Sequence, residues 1–115
     1  MPFETSQNGD VTVIRLIGRL DSAQSPPLER ALRELLDGGA GKLLLDLSAL
    51  DYISSAGLRV VLLAGKALRG RKPPGRLVLA GVRGMVKEVF EMSGFLTLFP
   101  QADTHDAALA QLQAG

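Results

Sequence analysis

The sequence has no cysteine and no tryptophan, one tyrosine, four phenylalanines and one histidine in 115 residues. The missing cysteine excludes disulfides, thiolate metal sites and a thiol nucleophile. It is compatible with a reducing compartment. Neither charge dominates, since 13 Lys and Arg stand against 12 Asp and Glu. That balance gives no electrostatic case for wholesale nucleic-acid binding, which rests on a basic excess. No apolar run approaches the ~20 residues of a membrane helix. The Met1-Pro2-Phe3-Glu4 start has no basic segment leading into an apolar one, so no signal peptide is read there. A soluble, cytoplasmic protein is the expectation, without membrane insertion. The 46% hydrophobic content is high enough for a core and excludes a disordered chain. The length fits one domain, spanning 1–115.

The patterning alternates between strand and helix. Phe3 to Thr5 and the β-branched run Val11 to Ile17 flank Asn8-Gly9, a hairpin signal. Pro26-Pro27 suits a first helical turn; Leu28, Ala31, Leu32 and Leu35 follow at helical spacing, and Gly38-Gly39 ends the helix. Leu43-Leu44-Leu45 and Leu47 form a short apolar run, as in a strand buried on both faces. A turn is expected after it, then a helix over Ser55 to about Arg69, and a loop over Gly70 to Gly75. Leu77 to Ala80 reads as a strand and Met85 to Phe90 as a helical face, closed by Ser93-Gly94. Leu96 to Phe99 reads as a short strand, and Asp103 or Thr104 caps a last helix carrying Ala108, Leu109 and Leu112. This order predicts an α/β fold: a mixed, mostly parallel sheet of four to five strands, an N-terminal β-hairpin and about four helices.

Several chemistries are not written in the chain. No G-x-x-x-x-G-K-S/T loop and no G-x-G-x-x-G after a strand is present. His105 reads as a solvated surface side chain, and Asp46 with Asp51 is too thin a set for a hard cation, so no metal or cofactor is expected. Ile53-Ser54-Ser55-Ala56-Gly57 lacks the glycine before the serine that a nucleophile elbow needs. A triad would have to recruit His105. A phosphoacceptor aspartate at Asp46 would need an acidic pair near the first strand, and Asp21 stands alone there.

The informative stretch is Asp46 to Val60, which runs from a buried strand into a helix start. In open α/β sheets that edge meets ligands and partners. Ser54 and Ser55 flank the helix N-terminus, where either can serve as a cap. The same place favours a phosphate, because free N–H groups and the helix dipole stabilise an anion. Arg59, one turn on, lies on the face of Ser55.

The string Asp46-Leu47-Ser48-x-Leu50-x-x-Ile53-Ser54-Ser55-Ala56-Gly57-Leu58 resembles the signature of STAS domains of the anti-sigma factor antagonist family, D-L-S-x-L-x-x-(I/L/M)-(D/S)-S-x-G-L. Gly18-Arg19-Leu20-Asp21 resembles that family's G-x-(L/I)-D, and Phe90-Glu91-Met92-Ser93-Gly94-Phe95 its F-x-x-(S/T)-G-(F/L). The three blocks fall in the family's order and cover nearly the whole chain. The resemblance implies the STAS fold, with helices largely on one side of the sheet.

It also implies a partner switch, in a protein that is not itself an enzyme. The unphosphorylated antagonist binds an anti-sigma factor that is also a GHKL-type serine kinase, and this frees the sigma factor. The kinase, which binds ATP, phosphorylates the antagonist and ends binding; a serine phosphatase resets it. The acceptor position falls on Ser55. Many family members carry Asp before the acceptor, where this chain has Ser54, and that makes Ser54 a second candidate. The implied partner surface comprises Asp21, Ser54, Ser55, Ala56, Gly57, Arg59, Leu62, Leu63 and Lys66. The competing expectation is a STAS scaffold without a serine cycle, a subunit of a transporter or signalling assembly. No residue constellation specifies a small-molecule ligand.

Overall fold

The computed structural model describes residues 3–114. Met1, Pro2 and Gly115, the ends of the expected domain, lie outside them. The Asn-Gly signal becomes a hairpin: β1 (Phe3–Asn8) and β2 (Val11–Leu20) are antiparallel, with Asn8 opposite Val11. Then follow α1 (Ser25–Asp37), β3 (Lys42–Ile53), α2 (Ser55–Arg69), β4 (Arg76–Ala80), α3 (Gly84–Met92), α4 (Phe95–Leu98), β5 (Gln101–Ala102) and α5 (His105–Ala114). The sheet runs β1-β2-β3-β4-β5, and all pairings after the hairpin are parallel.

Burial divides the sheet into two faces. Leu43, Leu45, Leu47, Leu77 and Leu79 pack with α1, α2, α3 and α4 in the larger core. Leu44, Val78 and Ala80 face the other way, where α5 covers them with Ala108 and Leu112. The central strands are therefore apolar on both faces, which is why the leucine run does not alternate. Four helices lie on one side, and the fifth closes the other.

Two expectations about local structure are corrected. The turn after Leu47 is absent, because β3 continues to Ile53. Its pairing with β2 shifts twice, between Arg15 and Ile17 and between Gly18 and Arg19. Each shift puts an extra residue into β3. The inward positions consequently space out to Leu47, Leu50 and Ile53. The strand expected over 96–99 is instead the helical turn α4, and the strand follows at Gln101–Ala102. Phe95 and Phe99, four residues apart, both reach the core; Phe95 lies 5.0 Å from the Phe90 ring and 5.1 Å from that of Phe99. That spacing suits a helical turn and would send neighbours astray in a strand.

Candidate functional site

The carboxyl ends of β2 and β3 form the edge that the sequence singled out. Leu20 pairs with Ile53, and the Ser54 N–H donates to the Leu20 carbonyl at 2.9 Å. Ser54 then turns the chain in extended conformation and caps α2: its hydroxyl oxygen accepts from the Gly57 N–H at 3.1 Å. The cap takes up one of the donors a helix start leaves unpaired. Ser54 is half-buried. Ser55 is the first helical residue, exposed, and its hydroxyl makes no hydrogen bond among the described residues. The two serines that the sequence left as alternatives thus occupy different environments.

Gly57 shows why a small residue stands here. A Cβ on it would meet Leu20 Cγ at 2.8 Å, Leu20 Cδ2 at 2.9 Å and Ile53 Cγ1 at 3.1 Å. The first turn of α2 therefore rests directly on the ends of both strands. Ala56 beside it is half-buried.

Asp21 follows Leu20 on the same edge. Its Oδ1 accepts from the Ala23 and Gln24 N–H groups, each at 3.1 Å. Its carbonyl accepts from the Ser25 N–H at 3.1 Å and the Ser25 hydroxyl at 2.8 Å. Asp21 thereby organises the entry to α1 and is half-buried. Along α2, Arg59 and Lys66 are exposed and make no ion pair among the described residues. Leu62 packs against the larger core. Leu63 is 46% exposed and lines an open groove of about 300 Å³ between α1 and α2, with Leu32, Leu36 and Val60 at its base.

On the opposite face of the sheet His105 is only partly solvated, with its side chain 40% exposed, and its ring is engaged. Its Nδ1 lies 3.0 Å from Asp46 Oδ2. The other Asp46 oxygen accepts from the Ser48 hydroxyl at 2.7 Å and the Ser48 N–H at 2.9 Å. Asp46 is 5% exposed. Burial alone would raise its carboxyl pKa; the Ser48 hydroxyl, the His105 ring, the Ser48 N–H and the charge on His105 outweigh burial and hold it below the usual 3.8. Thr104 starts α5 by accepting the Ala107 N–H at 3.1 Å, which delivers His105 to Asp46.

This order of groups is not that of a hydrolase. A nucleophilic serine needs a histidine as its base, with the acid behind that histidine. Here Asp46 stands between Ser48 and His105, so neither Ser48 nor Ser55 is activated. Nor is Asp46 an open phosphoacceptor, since both of its oxygens are engaged. Among the described residues no group of three or more His, Cys, Asp and Glu could hold a metal ion.

Arg83 is a residue that the sequence reading did not single out. Its Nε donates to the Ser48 carbonyl at 2.8 Å, and its guanidinium lies 3.3 Å from Asp51. β3 outruns β4, whose last partner pair is Asp46 with Ala80. Arg83 thus takes up backbone on the stretch of β3 that β4 leaves bare. Only the length of β3 reveals that role.

Comparison with known proteins places this geometry in context. The sequence profile of the STAS domain matches residues 2–108. BtrV of Bordetella bronchiseptica, provisionally named an anti-sigma factor antagonist, is 50% identical over 95 residues, 83% of this chain and 80% of that protein. Among solved structures, a provisionally named anti-sigma factor antagonist of Thermotoga maritima superposes with a TM-score of 0.88 at 20% identity, over 96% of this chain and 94% of that one. The Bacillus cell fate determinant SpoIIAA in its phosphorylated form superposes with a TM-score of 0.76 at 23% identity, over 95% and 97%.

Proposed function

The chain belongs to the STAS domain family, and we propose that it is an anti-sigma factor antagonist working by partner switching. BtrV, half identical over most of both chains, supports the antagonist role. On this reading the unphosphorylated protein, a single domain over 1–115 in the cytoplasm, binds an anti-sigma factor of the GHKL serine kinase type and so frees a sigma factor. Phosphorylation of Ser55 by that kinase, with its bound ATP, ends binding, and a serine phosphatase restores it. The chain is a kinase substrate and has no catalytic role of its own.

The observation that carries this reading is the different placement of the two serines. Ser55 is exposed, whereas the oxygen of Ser54 already accepts the Gly57 N–H. Modifying Ser54 would cost the α2 cap; modifying Ser55 would not. A phosphate on Ser55 adds −1.5 to −2 charge at a helix start that tolerates it. The fold then survives, while the charge repels a packed partner and is costly to desolvate. Arg59, one turn along, offsets part of that charge. Asp21, Ala56, Gly57, Leu62, Leu63 and Lys66 complete the proposed contact surface around the two serines.

The test combines peptide mapping and intact-mass spectrometry of the protein from its native cells with binding of a purified GHKL partner. A condition-dependent phosphate on Ser55 is expected, with Ser55→Asp losing binding and Ser55→Ala retaining it. If both variants bind like the wild type and no phosphate is found, the reading fails in favour of a scaffold without a serine cycle.

A further inference from the structure

At the end that carries Ser55, where the parallel strands finish, Asp21, Asp51, Asp103 and Asp106 are interspersed with Arg19, Arg59 and Arg83. At the other end, where β3 and β4 start, Lys42, Arg69, Arg71, Lys72 and Arg76 outnumber Asp10, Glu34 and Asp37. The stretch Arg69-Gly70-Arg71-Lys72-Pro73-Pro74-Gly75-Arg76 holds four of these cations and no acid. Lys42 and Arg76 are ladder partners. With Arg71 and Lys72 they line an open groove of about 710 Å³, in which the acid is Asp10.

Three of the five cations have structural work. Lys42 pairs with Asp10 at 2.9 Å. Arg71 donates to the Leu36 and Ala40 carbonyls and so ties down the end of α1. Arg69 lies over the Phe99 ring and donates to the Leu98 carbonyl. Lys72 and Arg76 have no hydrogen bond or ion pair from their side chains among the described residues. Neither contributes to the fold in a way that explains a cation. Beside them are apolar points: Leu98 is 44% exposed, and Pro73, Pro74 and Pro100 are exposed. Arg69, Arg76, Leu98 and Pro100 line a second shallow groove of about 260 Å³.

We propose that this basic end docks peripherally on an anionic phospholipid surface. Cations clustered on an exposed loop are drawn to such a surface, and apolar points between them enter the headgroup layer. Single-stranded nucleic acid fits less well, because its stacking platforms are aromatic. Phe99, the aromatic residue at this end, is 3% exposed, and Tyr52 lies at the other end. Docking needs no spanning segment, and no described helix is long and apolar enough to cross a membrane. Ser55 and Arg69 are the two ends of α2, about 20 Å apart at 1.5 Å per residue. The serine edge therefore faces away from the surface and stays open to a protein partner.

The test is sedimentation of the protein with vesicles of phosphatidylglycerol and phosphatidylcholine, against pure phosphatidylcholine, at two salt concentrations. Binding only to the anionic vesicles, weakened by salt, is expected. Lys72→Gln with Arg76→Gln should lower the partition coefficient about 30-fold, from about fivefold per cation. Lys87→Gln, on the exposed side of α3, should leave it unchanged, and far-UV circular dichroism verifies that each variant is folded. The proposal is overturned if anionic vesicles do not bind, or if the double variant binds like the wild type. It is also overturned if Lys87→Gln weakens binding equally, or if a poly-glutamate peptide or single-stranded RNA binds where vesicles do not.

Discussion

Replacing Asp46 with alanine tests the linkage between the sheet and α5. The carboxylate accepts three hydrogen bonds, from the Ser48 hydroxyl, the Ser48 N–H and His105 Nδ1. Hydrogen bonds to a charged group contribute about 1.5–3 kcal/mol each, so a simple sum would reach roughly 4–9 kcal/mol. That sum is too large here. Ser48 is exposed and the His105 side chain is 40% exposed, so water re-satisfies both once the carboxylate is gone. The loss should be about 2–3 kcal/mol, the worth of one well-buried charged bond. Urea unfolding followed by far-UV circular dichroism measures it; the chain has no tryptophan to report by fluorescence. With a slope of about 1–2 kcal/mol/M, the midpoint should fall by about 1–3 M.

The pH dependence gives a second check on the same carboxylate. The folded-state pKa of Asp46 is depressed. Its contribution is therefore full above the unfolded value of about 3.9 and is lost as pH falls through the lower, folded value. The gap between wild type and Asp46→Ala should narrow as pH falls below about 4. A loss under about 0.5 kcal/mol at pH 7, or a gap that persists undiminished to pH 2, would refute the reasoning.

Other substitutions probe the serine edge and the packing beneath it. Ser54→Ala should cost about 1 kcal/mol through the lost cap, while Ser55→Ala should stay within about 0.5 kcal/mol, both read by urea titration. Equal effects would mean that the cap is misassigned. Gly57→Ala should destabilise by about 1–3 kcal/mol as its methyl meets Leu20 and Ile53, and hydrogen exchange should quicken in the first turn of α2. Unchanged exchange there would count against direct contact. Gly65→Ala places a methyl 2.3 Å from Phe99 Cζ and should lower the melting temperature by about 4–8 °C per kcal/mol lost. An unchanged melting temperature would mean that the Phe99 ring is free to withdraw.

The elements that the sequence announced clearly were those with a local signature. Asn8-Gly9 marked the hairpin, Pro26-Pro27 and Gly38 bounded α1, and Thr104 capped α5 as one of two expected caps. Residues Asp46 to Ile53 were harder. Two extra residues in β3 break the two-residue period, and a strand whose inward residues recur every third position looks like a turn. Residues 96–99 misled for a related reason: aromatics suit strands by propensity, yet here the four-residue spacing of Phe95 and Phe99 decided the matter. Within the site, the adjacent serines were visible in sequence, but their division of labour was not. It depends on which of them continues the β2 pairing, and a single residue of offset decides that. The His105–Asp46 contact spans 59 positions and left no pattern in either neighbourhood.

The Ser54 cap has a consequence for recognition. Residues 54 and 55 are held by the Leu20 carbonyl, the Gly57 N–H and the strand ends under Gly57, so part of their shape is borrowed from β2, more than thirty positions away. A short synthetic peptide covering the same residues would carry the letters without the shape, because an isolated helical turn is marginal in water. If Ser55 is the phosphoacceptor, its kinase must read a surface rather than a linear motif. An unfolded antagonist would then be invisible to the enzyme, and only molecules that have completed folding could enter the cycle.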